Sequence, residues 1–222
     1  MDPEITKNPL YSRLMTKSLL SIPTMSIVTN KENLFSRILD PITGGIYIFT
    51  GVPGYNGGPV LGNDWERPAS VEFFDRKGLK EFQVNCGLKI HGGASRQSEK
   101  TPKHSFRIIF RDIYRPSKLN YPLLGSDATA AFNSLVLRAT YGNTWLHMNH
   151  SERKHAQLIH DVWAKDTQHD MGHHSGYGNF VHLYINGMYW GIYNPTERID
   201  DDYGETYFGG VKGDYLSRIT AK

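Results

Sequence analysis

The chain has one cysteine, Cys86, in 222 residues, which excludes an internal disulfide and a cysteine metal cluster. A lone cysteine between apolar neighbours reads as a small buried hydrophobe. Long apolar runs are missing too. The stretch at residues 19–28 is short and broken by Pro23, so no membrane span is expected. The first residues, Met-Asp-Pro-Glu, carry acids where a secretory signal needs a basic start and an apolar core. No signal peptide is read, and the compartment is left open. Charge of one sign is scarce as well: 25 Lys and Arg against 22 Asp and Glu leave a net charge of +3. That bias, with no run of like charges, argues against a nucleic-acid partner.

What is present is a globular composition, 39% hydrophobic and 12% aromatic, with no internal repeat. Residues 1–20 read as a polar lead-in and residues 21–222 as one domain. Alternating segments predict strands at residues 23–28, 69–74, 82–91, 104–110 and 180–185, with a nearly continuous apolar strand at 133–138. Asn186-Gly187 between two such segments is the strongest hairpin signal in the chain. Residues 51–62, dense in Gly and Pro, predict a loop. Between residues 151 and 170, Ala156, Leu158, Ile159, Val162 and Trp163 recur near helical spacing, with Ser151 as N-cap and Glu152 in the first turn. The expected fold class is α+β, an antiparallel strand-rich sheet with one main helix packed on it.

Two segments carry candidate chemistry. In residues 91–108, Gly92 and Gly93 allow a sharp turn after a strand, followed by Ser95 and Arg96. A Gly-rich turn between strands offers backbone N–H groups to phosphate where side chains would obstruct. Strand alternation then puts Lys103, Ser105 and Arg107 on one face, with Phe106 and Ile108 toward the core. The plain alternative is a solvated sheet face. The second segment, residues 186–200, ends in Glu197, a candidate partner to fix a phosphate-binding lysine. Its alternative is a surface acid pairing with Arg198 or Lys212. The histidines of the second half match no H-E-x-x-H or Cys/His ligand spacing.

These two segments resemble the CotH kinase family, the spore-coat CotH-like atypical protein kinases. Gly92-Gly93-Ala94-Ser95-Arg96 followed by Pro102-Lys103-His104-Ser105-Phe106-Arg107 is similar to its Ser-Arg turn and Pro-Lys-x-Ser-aromatic-Arg pattern. Residues 184–193 with Glu197 are similar to its Asn-Gly-x-Tyr-x-Gly-x-Tyr signature and following Glu. The likeness spans roughly residues 20–215. It implies an atypical protein-kinase-like fold that binds ATP with Mg or Mn and phosphorylates Ser or Thr of a protein substrate, in a bacterial cell-surface or secreted setting. By position it implies catalytic roles for Lys103 and Glu197, joined in an ion pair. It also implies a nucleotide cleft lined by Gly92, Gly93, Ser95, Arg96 and Arg107. Two departures stand out. His104 occupies a place where the family often has a second Lys. The family's metal-binding aspartates lie further past the Glu than Asp200, Asp201, Asp202 and Asp214 do, so the domain is expected to be C-terminally incomplete and poor in phosphate transfer. The other reading is a non-catalytic coat or adhesion module on the same fold, using the aromatic residues between 184 and 208 for contact.

Overall fold

A computed structural model of the chain describes residues 3–50 and 65–215; the loop expected at residues 51–62 lies outside the described residues. Three short helices lead in: α1 (Pro3–Thr6), α2 (Pro9–Ser12) and α3 (Met15–Leu19). Then come β1 (Thr24–Val28), α4 (Lys31–Phe35), β2 (Arg67–Phe74), β3 (Lys80–His91) and β4 (Ser105–Ile109). A small pair, β5 (Leu119–Asn120) and β6 (Ala131–Phe132), precedes β7 (Ser134–Arg138), α5 (His150–Lys154) and α6 (His160–Asp170). β8 (Val181–Ile185), β9 (Met188–Thr196) and α7 (Asp201–Phe208) follow.

The strands close into a seven-stranded barrel in the order β1-β2-β3-β4-β7-β9-β8. Neighbours run antiparallel except at the closure, where β1 and β8 pair parallel from Thr24 opposite His182 to Ile27 opposite Ile185. Every strand sends alternate residues inward, and a barrel this small is filled by side chains. Met25 and Ile27, Val71 and Phe73, Cys86 and Leu88, Phe106 and Ile108, Leu135 and Leu137, Leu183 and Tyr193 form one buried cluster. Cys86 is fully buried, as its apolar neighbours predict. The Asn186-Gly187 turn joins β8 to β9 with both residues at positive φ, 49° and 79°, the conformation a two-residue hairpin demands.

The expected α+β fold with one main packed helix, kinase-like in plan, is corrected here. An open sheet needs a helix to cover it, whereas a closed barrel covers its own apolar face. The helical region expected at residues 151–170 is two helices, α5 and α6, neither with a buried residue. Ile159 and Trp163, whose spacing suggested a packing face, are more than 60% exposed.

Candidate functional site

The outer wall of β3, β4, β7 and β9 collects the basic residues. Because Phe106 and Ile108 point inward, Arg107 points out. Its Cα pairs with Lys89 on β3 and Val136 on β7. One row along, His91 pairs with Ser105, and Arg138 on β7 pairs with Asn194 on β9. Arg198 lies just past β9, and Arg96 sits in the 3-10 turn Ala94–Arg96 that follows Gly93.

These groups converge on His91. Burial pushes its imidazole down to about 4, and the positive charges of Arg198, Arg107, Arg138 and Arg96 press in the same direction. Burial and these charges together hold the ring neutral at pH 7. The guanidinium groups are incompletely satisfied. The Nε atoms of Arg96, Arg107 and Arg198 are buried without a hydrogen-bond partner. Arg107 does reach Ser134 Oγ at 3.0 Å and Asp200 at 3.7 Å, and Arg198 meets Asp200 at 3.5 Å. Burial lowers the pKa of both Arg96 and Arg107. Desolvated cations with free donors are costly unless an anion completes them.

A cavity of about 290 Å³ opens at this place, lined by His91, Gly92, Gly93, Ala94, Ser95, Ser105, Arg138, Thr140 and Tyr141. Gly92 is at φ +118°, and a Cβ there would collide with Ser95 Oγ. Only glycine suits both the conformation and the close approach. A Cβ at Gly93 would meet nothing, so its backbone faces open space. The structure thus brings Gly92, Gly93 and Ser95 to one cavity, which Arg96 and Arg107 do not line. Arg138 and Arg198 belong to this cluster but were not singled out from the sequence. Alternation along β7 would have put Arg138 on the outer face, but only the strand order sets it beside His91.

Lys103 and Glu197 go elsewhere. The Lys103 ammonium donates to the Ile192 carbonyl at 2.5 Å and lies 4.3 Å from the Tyr193 ring centroid. Burial alone pushes it down to about 8. It caps a backbone acceptor on the part of β9 that β7 does not pair. The Glu197 carboxylate accepts from Tyr207 Oη at 2.6 Å and from the Tyr177 N–H at 2.9 Å. Burial raises its pKa, while these two hydrogen bonds, His169 and Lys165 pull it back. The expected Lys103–Glu197 ion pair does not form, because each group is already committed to partners on its own side of β9.

Of the four arginines only Arg138 lines the cavity at the Gly92-Gly93 turn, where it pairs with Asp161 at 3.0 Å; the unpartnered Nε atoms belong to Arg96, Arg107 and Arg198 around it. A divalent ion does not fit the acidic residues nearby. Asp200, Asp201 and Asp202 present oxygens within 4.8 Å of one another. However, Asp200 is held by Arg107 and Arg198, and Lys212 pairs with Asp201 at 3.8 Å and Asp202 at 2.8 Å. Asn133 donates to the same Asp202 oxygen. The pocket between these acids and Tyr203 is only about 30 Å³, room for roughly one water.

The class of protein is thus a closed barrel with a cavity beside a glycine turn on its basic wall. The CotH kinase protein family model matches residues 88–220, and the chain belongs to the CotH kinase family. No curated protein matches the chain. Among the described residues, no helix is long and apolar enough to cross a membrane.

Proposed function

We propose that this chain binds the phosphates of ATP at the Gly92-Gly93 turn and serves phosphoryl transfer to Ser or Thr of a protein substrate. The supporting observation is the cavity at that turn, bordered by His91 and Arg138, with buried unpartnered Nε atoms on the neighbouring Arg96, Arg107 and Arg198. ATP, when bound, would bring the transferable phosphoryl group and an anionic partner for Arg96, the one arginine of the four with no carboxylate beside it among the described residues. The backbone at Gly93 borders the cavity, and Arg96 and Arg107 each carry a buried donor without a partner. Charge stabilisation by fixed donors in a partly desolvated site is the main protein contribution to phosphoryl transfer. A neutral His91 adds no further positive charge and can hydrogen-bond as donor or acceptor. Lys103, in this reading, acts at one remove by tying the strand entry to β9.

The coat or adhesion reading draws on the aromatic richness of residues 184–208, which would serve contact as well as core. Tyr193 and Tyr203 are buried, and Trp190 packs against the core, so that support is largely spent on folding.

Calorimetric titration with ATP, followed by radiolabelled ATP with Mg or Mn and a Ser-rich protein acceptor, tests the proposal. Binding should be competed by inorganic tripolyphosphate and weakened about tenfold or more by Arg107→Gln, the loss of one charged hydrogen bond. ATP binding that ignores both would overturn it.

A further inference from the structure

We propose that His104 is the positioning residue that holds the anion-binding turn in shape, an inference that rests on the phosphate reading above. Between β3 and β4 the chain runs through residues 92–104 outside regular strand. Its returning leg is pinned at three successive residues. The Pro102 carbonyl accepts from Tyr47 Oη at 2.7 Å, Lys103 donates to Ile192, and the His104 carbonyl accepts from Tyr193 Oη at 2.9 Å. From this rigid base the imidazole of His104, fully buried, reaches back into the turn. Its Nδ1 lies 3.2 Å from the Ser95 carbonyl and its Nε2 lies 3.1 Å from Ser98 Oγ. A carbonyl can only accept, so Nδ1 carries the proton and Nε2 accepts from the Ser98 hydroxyl. The Tyr47 ring packs on the imidazole at 4.8 Å between centroids.

The Ser95 carbonyl belongs to the planar peptide that begins Arg96. Fixing that oxygen fixes the plane from which the Arg96 side chain departs. Arg96 has a buried, unpartnered Nε and bears on His91, so its placement decides how the cluster meets an anion. The turn contributes few apolar anchors of its own. Within the turn the Arg96 N–H donates to the Gly93 carbonyl at 3.0 Å and the Gln97 N–H to the Ala94 carbonyl at 3.1 Å; from outside, the Met148 N–H donates to the Lys100 carbonyl at 2.9 Å and holds the far end rather than Ser95. His104 touches no anion; it sets where Arg96 and the Gly93 backbone stand.

The experiment compares the wild-type chain with His104→Ala, His104→Asn and Ser98→Ala. Amide exchange across residues 93–98 is followed without ligand, and inorganic tripolyphosphate affinity is measured by calorimetry. Asn can donate to the Ser95 carbonyl from near the Nδ1 position, so it should rescue where Ala does not. His104→Ala should speed exchange in the turn about tenfold and raise the tripolyphosphate Kd about fivefold or more, the scale of one or two lost hydrogen bonds. His104→Asn should recover most of both, and Ser98→Ala should speed exchange a few fold with a smaller loss of affinity. If His104→Ala does not fold, the Ser98→Ala exchange decides, and no acceleration there overturns the proposal. Affinity and exchange unchanged in a folded His104→Ala, or no rescue by Asn, also overturn it. Absence of tripolyphosphate binding by the wild-type chain instead overturns the phosphate reading, and the positioning role for anion binding falls with it.

Discussion

Arg138 on β7 meets Asp161 on α6 at 3.0 Å, and this pair helps hold the helix to the barrel in place of an apolar face. α6 has no buried residue. Asp161 also pairs with Lys165 one turn on at 2.9 Å, and Lys165 donates to Thr196 Oγ1 at 2.8 Å. His160 adds a contact of 3.3 Å to Asn143. The helix is therefore hung on polar contacts beside the same wall that carries His91.

Replacing Asp161 by Ala removes the central carboxylate of that arrangement. The pair is partly exposed, with Arg138 at 43%, so the global loss should stay near 1 kcal/mol or below. The local effect should be larger at the start of α6, since the helix is otherwise held further along, by Lys165 on Thr196 and by the His169 ring stacked on Tyr177 at 4.1 Å. Amide exchange there should accelerate about tenfold while barrel amides change little. Unchanged protection of α6 would show that the helix is held by something other than Asp161.

The same helix shows where sequence reading reached its limit. Apolar spacing at Ile159, Val162 and Trp163 is what a buried face would have, yet the stabilising contacts come from Asp161 and Lys165, which periodicity does not weigh. The strands were legible because alternation is local: Phe106 and Ile108 are buried and Arg107 faces out, as period two requires. Barrel closure was not legible, because β1 and β8 are separated by most of the chain and their parallel pairing leaves no mark in either segment. The Gly92-Gly93 turn was readable as a motif, and Gly92, Gly93 and Ser95 line one cavity, whereas Arg96 and Arg107 do not. The Lys103–Glu197 pairing failed because it needed side-chain directions across β9, where backbone acceptors and Tyr207 were closer partners.

Lys103 carries a pH signature. Its folded pKa of about 8 lies below its ordinary value of 10.5, so the unfolded chain keeps the proton to higher pH than the folded one. Unfolding then takes up a proton between those two values, and stability rises with pH through that window. Below about pH 8 both states hold the proton, and the full cost of the buried charge applies. Lys103→Met should remove this rise. Urea titrations of both proteins from pH 7 to 10 check it, and stability differences that stay parallel across the range would refute the assignment. Tyrosines with raised pKa, such as Tyr193 and Tyr207, act in the opposite sense above pH 10, which sets the upper limit of the comparison.

Glu197 is read as a structural acceptor in its present contacts. Glu197→Ala strands the Tyr207 hydroxyl and the Tyr177 N–H near a buried strand end, which should cost about 2–4 kcal/mol. Glu197→Gln keeps an oxygen for one of them and should cost roughly half as much. A double-mutant cycle with Tyr207→Phe should return a coupling of about 1 kcal/mol or more. Additive losses would mean that the 2.6 Å contact contributes nothing to stability, and the carboxylate would then need another role.

Arg96 and Arg107 separate binding from stability most sharply, because both bear on His91 but keep different company. Arg107 is tied to Ser134 and Asp200. Arg107→Met removes one of the two cations that hold a buried Asp200, and burial already raises the pKa of that carboxyl. It should destabilise the fold by about 1–3 kcal/mol. Arg96 has no such tie at its Nε, and its burial is uncompensated. Arg96→Met exchanges a desolvated cation for an apolar chain of similar length, so stability should hold or rise by up to about 1 kcal/mol. If the cation is kept for an anion, tripolyphosphate affinity should fall about tenfold or more in the same variant. Thermal denaturation with and without tripolyphosphate reads both quantities at once. The wild-type chain should gain stability with added anion, and Arg96→Met should start level or higher and gain little. A variant that loses stability yet keeps the full anion-induced gain would place Arg96 among the structural residues and leave the anion to Arg107, Arg138 and Arg198.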